Sequence, residues 1–239
     1  MTNRKVRIVI VDDDPRLLNA LRINFKARGY EVFVAGTGAK GLQVVSRNEP
    51  DVVILDMGLP DMDGSVVLDG IRGWSAVPVV ILTARADPFL SAAALDQGAD
   101  DYVTKPFSME ELLARVRVAL RHGAPQQSPV HQNTGVIRAG DLRIDIPQHS
   151  VTKAGEVLHL TPTEWGVLTT LLRAHGGLVR KEDLLEEIWG PGFEGQGHYL
   201  RVYASQLRRK LEDDPTNPQF LLTEPGLGYR FVVPEPTRE

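Results

Sequence analysis

The stretch DVVILDMGLPDMDG, residues 51–64, joins an apolar run to an acidic turn. Val52 to Leu55 have the length and residue types of a buried strand, and Asp56 follows them directly. A buried carboxylate costs free energy unless another group pairs with it. The segment therefore predicts a strand of a sheet core that ends on a carboxylate, with its partner elsewhere in the chain.

Apolar runs rich in Val and Ile occur on both sides of this segment, and segments of helical period separate them. Five such β-α repeats predict an α/β domain with a doubly wound, five-stranded parallel sheet, covered by helices on both faces. The strand-length runs are 6–12, 31–35, 51–56, 78–84 and 101–105.

The second half of the chain follows a different pattern. Residues 122–135 are polar, contain Pro and Gly and show no periodicity, which is typical of a linker between a domain at 1–121 and a domain at 136–239. Short strands with turn signals follow over 136–160, and two more surround a Gly-rich turn near the C-terminus, so the second domain is expected to be α+β. Its helical patterns cover about 162–175, 181–189 and 197–212.

Composition narrows the class of protein. The chain has 239 residues, of which 42% are hydrophobic and 24% charged, as in globular proteins. It contains no cysteine, which excludes disulfides and thiol catalysis. The first strand begins near Val6, too early for a signal peptide, and no apolar run has the length of a membrane span. We therefore expect a cytoplasmic protein without a membrane partner.

Polar residues stand at the ends of four predicted strands. Asp12 and Asp13 follow the first, Asp56 the third, Thr83 the fourth and Lys105 the fifth. In the strand order 2-1-3-4-5 the three carboxylates converge at the carboxyl ends of the strands, where open parallel sheets bind ligands. Mg²⁺ would relieve their mutual repulsion. Asp56 could then attack phosphorus and form an aspartyl phosphate, with Lys105 neutralising charge.

Taken singly, each of these residues has a simpler interpretation. Asp often ends a strand because it caps the next helix, and we expect that role for Asp14, which precedes Pro15. A lone Thr is usually structural, and a lone Lys is usually a solvated surface charge. Their joint occurrence at four strand ends favours a phosphoryl-transfer site.

Residues 6–121 resemble the flavodoxin-like receiver domain of response regulators, and residues 136–233 resemble the winged helix-turn-helix effector domain of the OmpR/PhoB class. The resemblance covers nearly the whole chain and implies a two-component transcriptional regulator rather than an enzyme. It rests on IVDDD, LDMGLPDMDG, ILTAR and GADDYVTKPF in the first half and on LTPTEWGVL, LLEEIWG, LRVYASQLRRKL and GYRF in the second.

The resemblance assigns roles to residues of the receiver half. Asp56 would accept a phosphoryl group from a partner histidine kinase, and the Lys105–Pro106 peptide bond would be cis. Asp13 would be a direct Mg²⁺ ligand. The full implied ligand set is Asp12, Asp13, Asp56 and the carbonyl of Gly58. The implied phosphate-binding and switch residues are Thr83, Tyr102 and Lys105.

The lifetime of the phosphoryl group depends on side chains near it. In receivers, the residues two positions beyond the nucleophile and two beyond the switch threonine help to place the attacking water. Here these are Gly58, which has no side chain, and Arg85, which would screen the phosphoryl group. We therefore expect slow hydrolysis.

Activation is expected to produce a homodimer. Receivers of this class pair through the fifth strand and the helices on either side of it. Asp101 with Arg115, and Asp96 with Arg117, are positioned to form ion pairs between subunits. Exposed pairs contribute only about 0–1 kcal/mol each, so several must act together. The alternative is that Glu111 and Arg115 form an i,i+4 pair within one helix.

The predicted DNA-binding half is not basic overall, because residues 122–239 contain 15 acidic and 12 basic residues. The segment 197–212 nevertheless carries an apolar stripe on one side and basic residues off it, which suits a helix that enters the major groove. The low total charge predicts weak non-specific binding, so dimers on paired half-sites are expected. The expected DNA contacts are Arg201, Ser205, Arg208, Arg209 and, at the tip of the final hairpin, Arg230. The acidic groups of Glu182, Asp183, Glu186 and Glu187 are expected to face away from DNA, where they could contact RNA polymerase.

The regulon and two rival functions stay open. The segments RGWSAVPVVILTAR, HYLRVYASQLRRKLE and TEPGLGYRF resemble regulators of a potassium-uptake operon, although regulators of other operons in the class share much of the pattern. Asp12 and Asp14 form a D-x-D that a haloacid-dehalogenase-type phosphatase would also have, but Arg16 stands where that family has Thr or Val. A receiver that acts only through protein contacts, without DNA, is the other alternative.

Overall fold

The structure is a computed structural model that describes residues 4–84, 95, 97–123, 135–191, 193 and 197–233. The chain divides into two compact units, Met1–Ala124 and Pro125–Glu239. Most of the predicted linker lies outside the described residues.

The first unit is a five-stranded parallel sheet in the order β2-β1-β3-β4-β5, which confirms the predicted fold and strand order. The last helix runs to Gly123, two residues beyond the predicted domain end. The elements are β1 (Arg7–Val11), α1 (Pro15–Ala27), β2 (Glu31–Ala35), α2 (Gly38–Asn48), β3 (Val52–Asp56), α3 (Gly64–Arg72), β4 (Val79–Thr83), β5 (Asp101–Thr104) and α4 (Met109–Gly123).

Helices cover both faces of the central strand β3, all of whose residues are buried. On one face, Ile54 belongs to a core cluster with Phe25 of α1 and Leu112 of α4. On the other face α2 approaches β1 so closely that a Cβ on Gly41 would lie 2.9 Å from the Val11 side chain. A strand enclosed in this way needs no polar alternation, which explains the continuous apolar run of the sequence.

Helix starts at the carboxyl edge of the sheet are fixed by short side chains. Asp14 caps α1, as predicted, and accepts a hydrogen bond of 2.8 Å from the Arg16 amide. Asp63 caps α3 in the same way. Gly64 then begins α3 against the end of β3, where a Cβ would lie 2.5 Å from the Asp56 carbonyl oxygen. Only glycine fits there, which explains the DMDG turn.

The second unit is α+β and has the strands and helices expected of a winged helix-turn-helix domain. Strands β6-β7-β8-β9 form an antiparallel sheet, and β10-β12-β11 form a second, smaller one. The elements are β6 (Val136–Ala139), β7 (Leu142–Asp145), β8 (Ser150–Lys153), β9 (Glu156–Leu158), α5 (Pro162–Arg173), β10 (Val179–Arg180), α6 (Lys181–Trp189), α7 (Gly197–Leu211), β11 (Leu221–Glu224) and β12 (Gly228–Phe231).

Helix α7 is anchored on one side by aromatic and aliphatic contacts. Trp189 of α6 packs against Tyr199 and Tyr203, each at 5.4 Å between ring centroids. Just beyond the helix, the Glu212 carboxylate accepts backbone hydrogen bonds from residues 219–221 and so holds the start of β11 against α7. The apolar stripe predicted for this helix is buried: Leu200, Ala204, Leu207 and Leu211.

Among the described residues, no helix combines the length and the apolar character that crossing a bilayer requires.

Candidate functional site

Three carboxylates converge where β1 and β3 end. Val11 of β1 pairs with Leu55 of β3, so the next residues of the two strands, Asp12 and Asp56, lie side by side. Together with Asp13 they present carboxylate oxygens within 4.8 Å of one another. Asp12 and Asp56 are buried, whereas Asp13 is exposed. The predicted convergence is therefore present, and it is open to solvent on the side of Asp13.

Lys105 bridges the two buried carboxylates. Its Nζ lies 2.7 Å from Asp12 Oδ2 and 3.0 Å from Asp56 Oδ1. Burial raises the pKa of the Asp56 carboxyl, the Lys105 hydrogen bond and charge oppose that rise, and the charges of Asp12 and Asp13 add to it. Burial alone would lower the pKa of Lys105, but hydrogen bonds to Asp12 and Asp56 outweigh it and hold this pKa above its ordinary value. The contacts with Asp12 and Asp56 therefore hold Lys105 in its charged form.

The donor set fits a hard divalent cation. Lys105 offsets one of the three negative charges, which leaves a site of net negative charge lined by carboxylate oxygens. Gly58 lies beside it, because a Cβ at that position would be 3.7 Å from Asp56 Oδ2. Asp12, Asp13 and Asp56 therefore suit Mg²⁺, and the Gly58 backbone is near enough to the Asp56 carboxylate for the role that the resemblance implied.

Thr83 and Tyr102 face the same side of the sheet. Ile81 pairs with Tyr102, and Thr83 pairs with Thr104, in the parallel register of β4 and β5. Because side chains alternate along a strand, Thr83 and Ile81 share a face, and Tyr102 shares it with them. Both candidates for the switch pair are half-buried. The Lys105–Pro106 bond that follows is cis.

One ion pair expected between subunits lies instead within a single chain. Arg115 Nη1 lies 2.8 Å from Asp101 Oδ1 within the same chain, and both side chains are largely buried. Arg115 is also 3.8 Å from Glu111, the alternative pair. Since Asp101 opens β5 beneath α4, the arginine reaches it without a second subunit. Arg117 is exposed.

Asp96, the predicted partner of Arg117, lies outside the described residues, and so does Arg85.

Helix α7 presents Arg201 and Arg209 to solvent, with Ser205 partly exposed. Arg208, in contrast, is engaged within its own domain. Its Nε donates to the Leu221 carbonyl at 2.9 Å, and its Nη2 donates to Thr223 Oγ1 at 2.6 Å. This arginine braces α7 against β11 in addition to any contact with DNA.

Arg230 does not lie at the tip of the final hairpin, where the sequence placed it. It lies inside β12 opposite Leu222, and the turn is formed by residues 225–227. Its guanidinium forms an ion pair with Glu224, the last residue of β11. Gly228 opens β12 beside β10, where a Cβ would lie 2.0 Å from the Val179 carbonyl oxygen, so only glycine fits at this position.

Sequence reasoning missed two carboxylates that hold these sites. Glu224 pairs with Arg230, and a charge of opposite sign on the preceding strand was a usable signal. Asp61 accepts hydrogen bonds from the Gly38 and Ala39 amides, which lie 23 and 22 residues away in the chain. No local sequence pattern predicts that contact.

Comparisons with known proteins agree with this arrangement. The family described as "Response regulator receiver domain" matches residues 8–117, and the family described as "Transcriptional regulatory protein, C terminal" matches residues 155–231. The transcriptional regulatory protein KdpE of Mycobacterium tuberculosis is 52% identical over 224 residues, which are 94% of this chain and 98% of that protein.

The KDP operon transcriptional regulatory protein KdpE of Escherichia coli is 41% identical over 233 residues, covering 98% of this chain and 100% of that protein. A solved structure of a RitR variant aligns with a TM-score of 0.76 at 24% identity, covering 95% of this chain and 99% of that chain, which shows a common fold. Both domains thus have counterparts of known class. The chain belongs to the OmpR/PhoB class of two-component response regulators, in its KdpE-like group, with a receiver domain followed by a DNA-binding output domain.

Proposed function

We propose that this response regulator is activated by phosphorylation of Asp56, and that it acts as a transcription factor rather than as an enzyme. The observation that carries the proposal is the cluster at the carboxyl edge of the sheet, where Lys105 Nζ lies within 3.0 Å of both Asp12 and Asp56. The partners would be a sensor histidine kinase, double-stranded DNA, a second copy of the chain and RNA polymerase.

The chemical step is transfer of one phosphoryl group. A carboxylate oxygen of Asp56 forms the new P–O bond as the P–N bond of a kinase phosphohistidine breaks. The electron pair returns to the imidazole nitrogen, which takes up a proton. Lys105 Nζ, 3.0 Å from Asp56 Oδ1, would donate a charge-assisted hydrogen bond to a phosphoryl oxygen. Bound Mg²⁺, held by Asp12, Asp13, Asp56 and the Gly58 carbonyl, would supply charge neutralisation on those oxygens.

The phosphoryl group would be sensed by Thr83 and Tyr102. The Thr83 hydroxyl stands one residue beyond Leu82, which pairs in register with Asp56, so it would donate to a phosphoryl oxygen. Tyr102, on β5, lies on the same face of the sheet as Thr83, and its side chain would move when Thr83 moves. The strand β5 and helix α4, joined by the buried Asp101–Arg115 pair, would carry the change to the dimer surface.

In the output domain, α7 would enter the major groove with its exposed arginines. Arg201 lies in the first turns of the helix, where recognition helices reach base edges. Arg209 would lie nearer the phosphates. Ser205, Arg208 and Arg230 would add contacts, with Arg208 also serving as a brace and Arg230 reading a narrow minor groove.

Phosphoryl uptake can be tested by intact-mass measurement of the full chain with a small phosphodonor and Mg²⁺. The unaltered protein should gain one acid-labile phosphoryl group, and Asp56→Asn should gain none. Asp69→Asn serves as the control, because Asp69 is an exposed carboxylate on α3. Phosphate retained in Asp56→Asn would refute the acceptor assignment.

The regulon is proposed to be a potassium-transport operon. Support comes from the identity of 52% and 41% to two KdpE proteins, one of which bears the name of the KDP operon. The test is binding of the phosphorylated protein to the DNA upstream of the organism's potassium-transport genes, compared with an unrelated promoter of equal length. Equal binding to both would favour another regulon.

A further inference from the structure

The loop that follows the phospho-acceptor strand is fastened to α2 by Asp61. One carboxylate oxygen accepts a hydrogen bond of 2.7 Å from the Gly38 amide, and the other accepts one of 3.0 Å from the Ala39 amide. These bonds hold the pKa of Asp61 below its ordinary value, the Ala39 bond most of all. The next residue, Met62, lies directly against Gly38, where a Cβ would be 2.5 Å from its Cγ.

This contact is more than an ordinary helix cap. Thr37 already caps α2, since its hydroxyl accepts from the Lys40 amide. Asp61 comes from a distant part of the chain and occupies the remaining donors of the first turn, where a negative charge is favourable. The result is a bond between two segments that the sheet alone does not join.

Helix α2 is in turn fixed to the strand that carries the other carboxylates. Gly41 lets α2 lie against Val11, at the end of β1. The next residue, Asp12, donates its amide to the Ala35 carbonyl at the end of β2, just before α2 begins. A path of close contacts therefore runs from Asp12 through α2 to Asp61 and the loop that contains Gly58.

We propose that Asp61 is a positioning residue for the divalent cation: it sets the distance between the Gly58 loop and the carboxylates on β1. The inference rests on the proposed Mg²⁺ site. Asp61 itself is not among the carboxylates that converge there. Ligands from two separate segments must be held in register for a small cation that demands regular geometry, and Asp61 supplies the register.

The test uses the full chain and Mn²⁺ as the probe, because Mn²⁺ takes the same oxygen ligands. Free Mn²⁺ is counted by electron paramagnetic resonance during titration. Asp61→Asn, which keeps the shape but replaces one acceptor oxygen with a donor, should raise the dissociation constant about 10-fold, and Asp61→Ala at least as much. Asp69→Asn makes the same charge change on α3 and should leave the constant unchanged.

A second readout separates positioning from a general loss of stability. The rate of phosphorylation by a small donor is measured against Mg²⁺ concentration. The Asp61 variants should need more Mg²⁺ but reach the rate of the unaltered protein at saturation. A rate that stays low at every Mg²⁺ concentration, with a lowered melting temperature, would overturn the positioning role.

The failure of this inference differs from failure of the proposed function. If Asp13→Ala weakens Mn²⁺ binding while both Asp61 variants bind like the unaltered protein, the metal site stands and the role of Asp61 is refuted. If the unaltered protein binds no Mn²⁺, the metal site itself is refuted, and the role of Asp61 with it.

Discussion

Lys105 bridges two buried carboxylates, Asp12 and Asp56, and the burial of these charged groups lowers the stability of the fold. Burial raises the pKa of Asp56, so folding favours its protonated form. The contribution of Asp56 to the stability of the metal-free protein should therefore be greatest at low pH, and it should fall as pH rises from the ordinary aspartate pKa of 3.8 through the raised pKa in the folded state. The ionised carboxylate that the proposed reaction requires therefore lowers the stability of the metal-free protein.

This sign leads to the first prediction. Without Mg²⁺ at neutral pH, Asp56→Asn should raise the melting temperature, because it removes a buried charge near Asp12 and Asp13. The gain should shrink as pH falls, since Asp56 then takes up a proton. Saturating Mg²⁺ should reduce the gain as well. Thermal melts at several pH values check this, and a variant less stable than the unaltered protein throughout would contradict it.

Gly58 is the second residue whose role can be isolated. A side chain there would begin 3.7 Å from Asp56 Oδ2, in ordinary contact distance, so the site tolerates one. Gly58→Asn should place an amide where it can orient the attacking water and should shorten the lifetime of the aspartyl phosphate, roughly 10-fold. Gly58→Ala is the control, because it fills the same space without a polar group. The decay is followed after removal of the phosphodonor, and equal decay in both variants would exclude orientation of water.

At the scale of elements, two arginines that were predicted to contact partners hold a helix to a strand of their own domain. Arg208 braces α7 to β11, and Arg115 joins α4 to β5. Such groups serve the fold first, so substitutions there change stability together with function. Tests of DNA binding or dimerisation that use them must measure stability as well.

Arg208 and Arg201, two arginines of the same helix, form a matched pair for such a test. Arg208→Ala removes two hydrogen bonds from a charged donor and should lower the free energy of unfolding of the output domain by about 1–2 kcal/mol. Arg201 is exposed on the same helix, and Arg201→Ala should stay within about 0.5 kcal/mol. Urea denaturation measures both. Equal midpoints would show that the brace contributes nothing.

Glu224, in the hairpin of β11 and β12, is a residue whose substitution should increase DNA affinity. It neutralises Arg230, so Glu224→Gln should free the positive charge of this guanidinium to attract DNA. DNA affinity should then rise for all sequences alike, and the slope of log affinity against log salt should steepen by about one. Glu156→Gln, an exposed carboxylate in the other sheet, is the control for charge. A rise confined to one operator base would instead indicate base reading by Arg230.

At the scale of the whole molecule, the sequence predicted what is local and missed what is distant. Strand-end residues such as Asp56 could be placed for two reasons. The apolar run before them predicts where the strand ends, and parallel strands have their carboxyl ends at the same edge of the sheet. Arg230 was misplaced because the bounds of the turn depend on which residues of β11 and β12 pair, with Leu222 opposite Arg230, and no periodic pattern gives that pairing. The brace of Arg208 and the bond of Asp61 also join segments that no periodic pattern relates.

The central claim concerns both units together: phosphorylation of Asp56 in the receiver domain increases DNA binding by the output domain. Coupling free energies of this kind are typically 1–3 kcal/mol, so the affinity for operator DNA should rise about 5- to 150-fold. The direct measurement is the binding isotherm of the full chain on promoter DNA, with and without phosphodonor and Mg²⁺, for the unaltered protein and Asp56→Asn at one salt concentration. The account predicts that the affinity of the unaltered protein rises and that of Asp56→Asn does not. An equal rise in both proteins, or none in the unaltered protein once its phosphorylation is verified by mass, would contradict it.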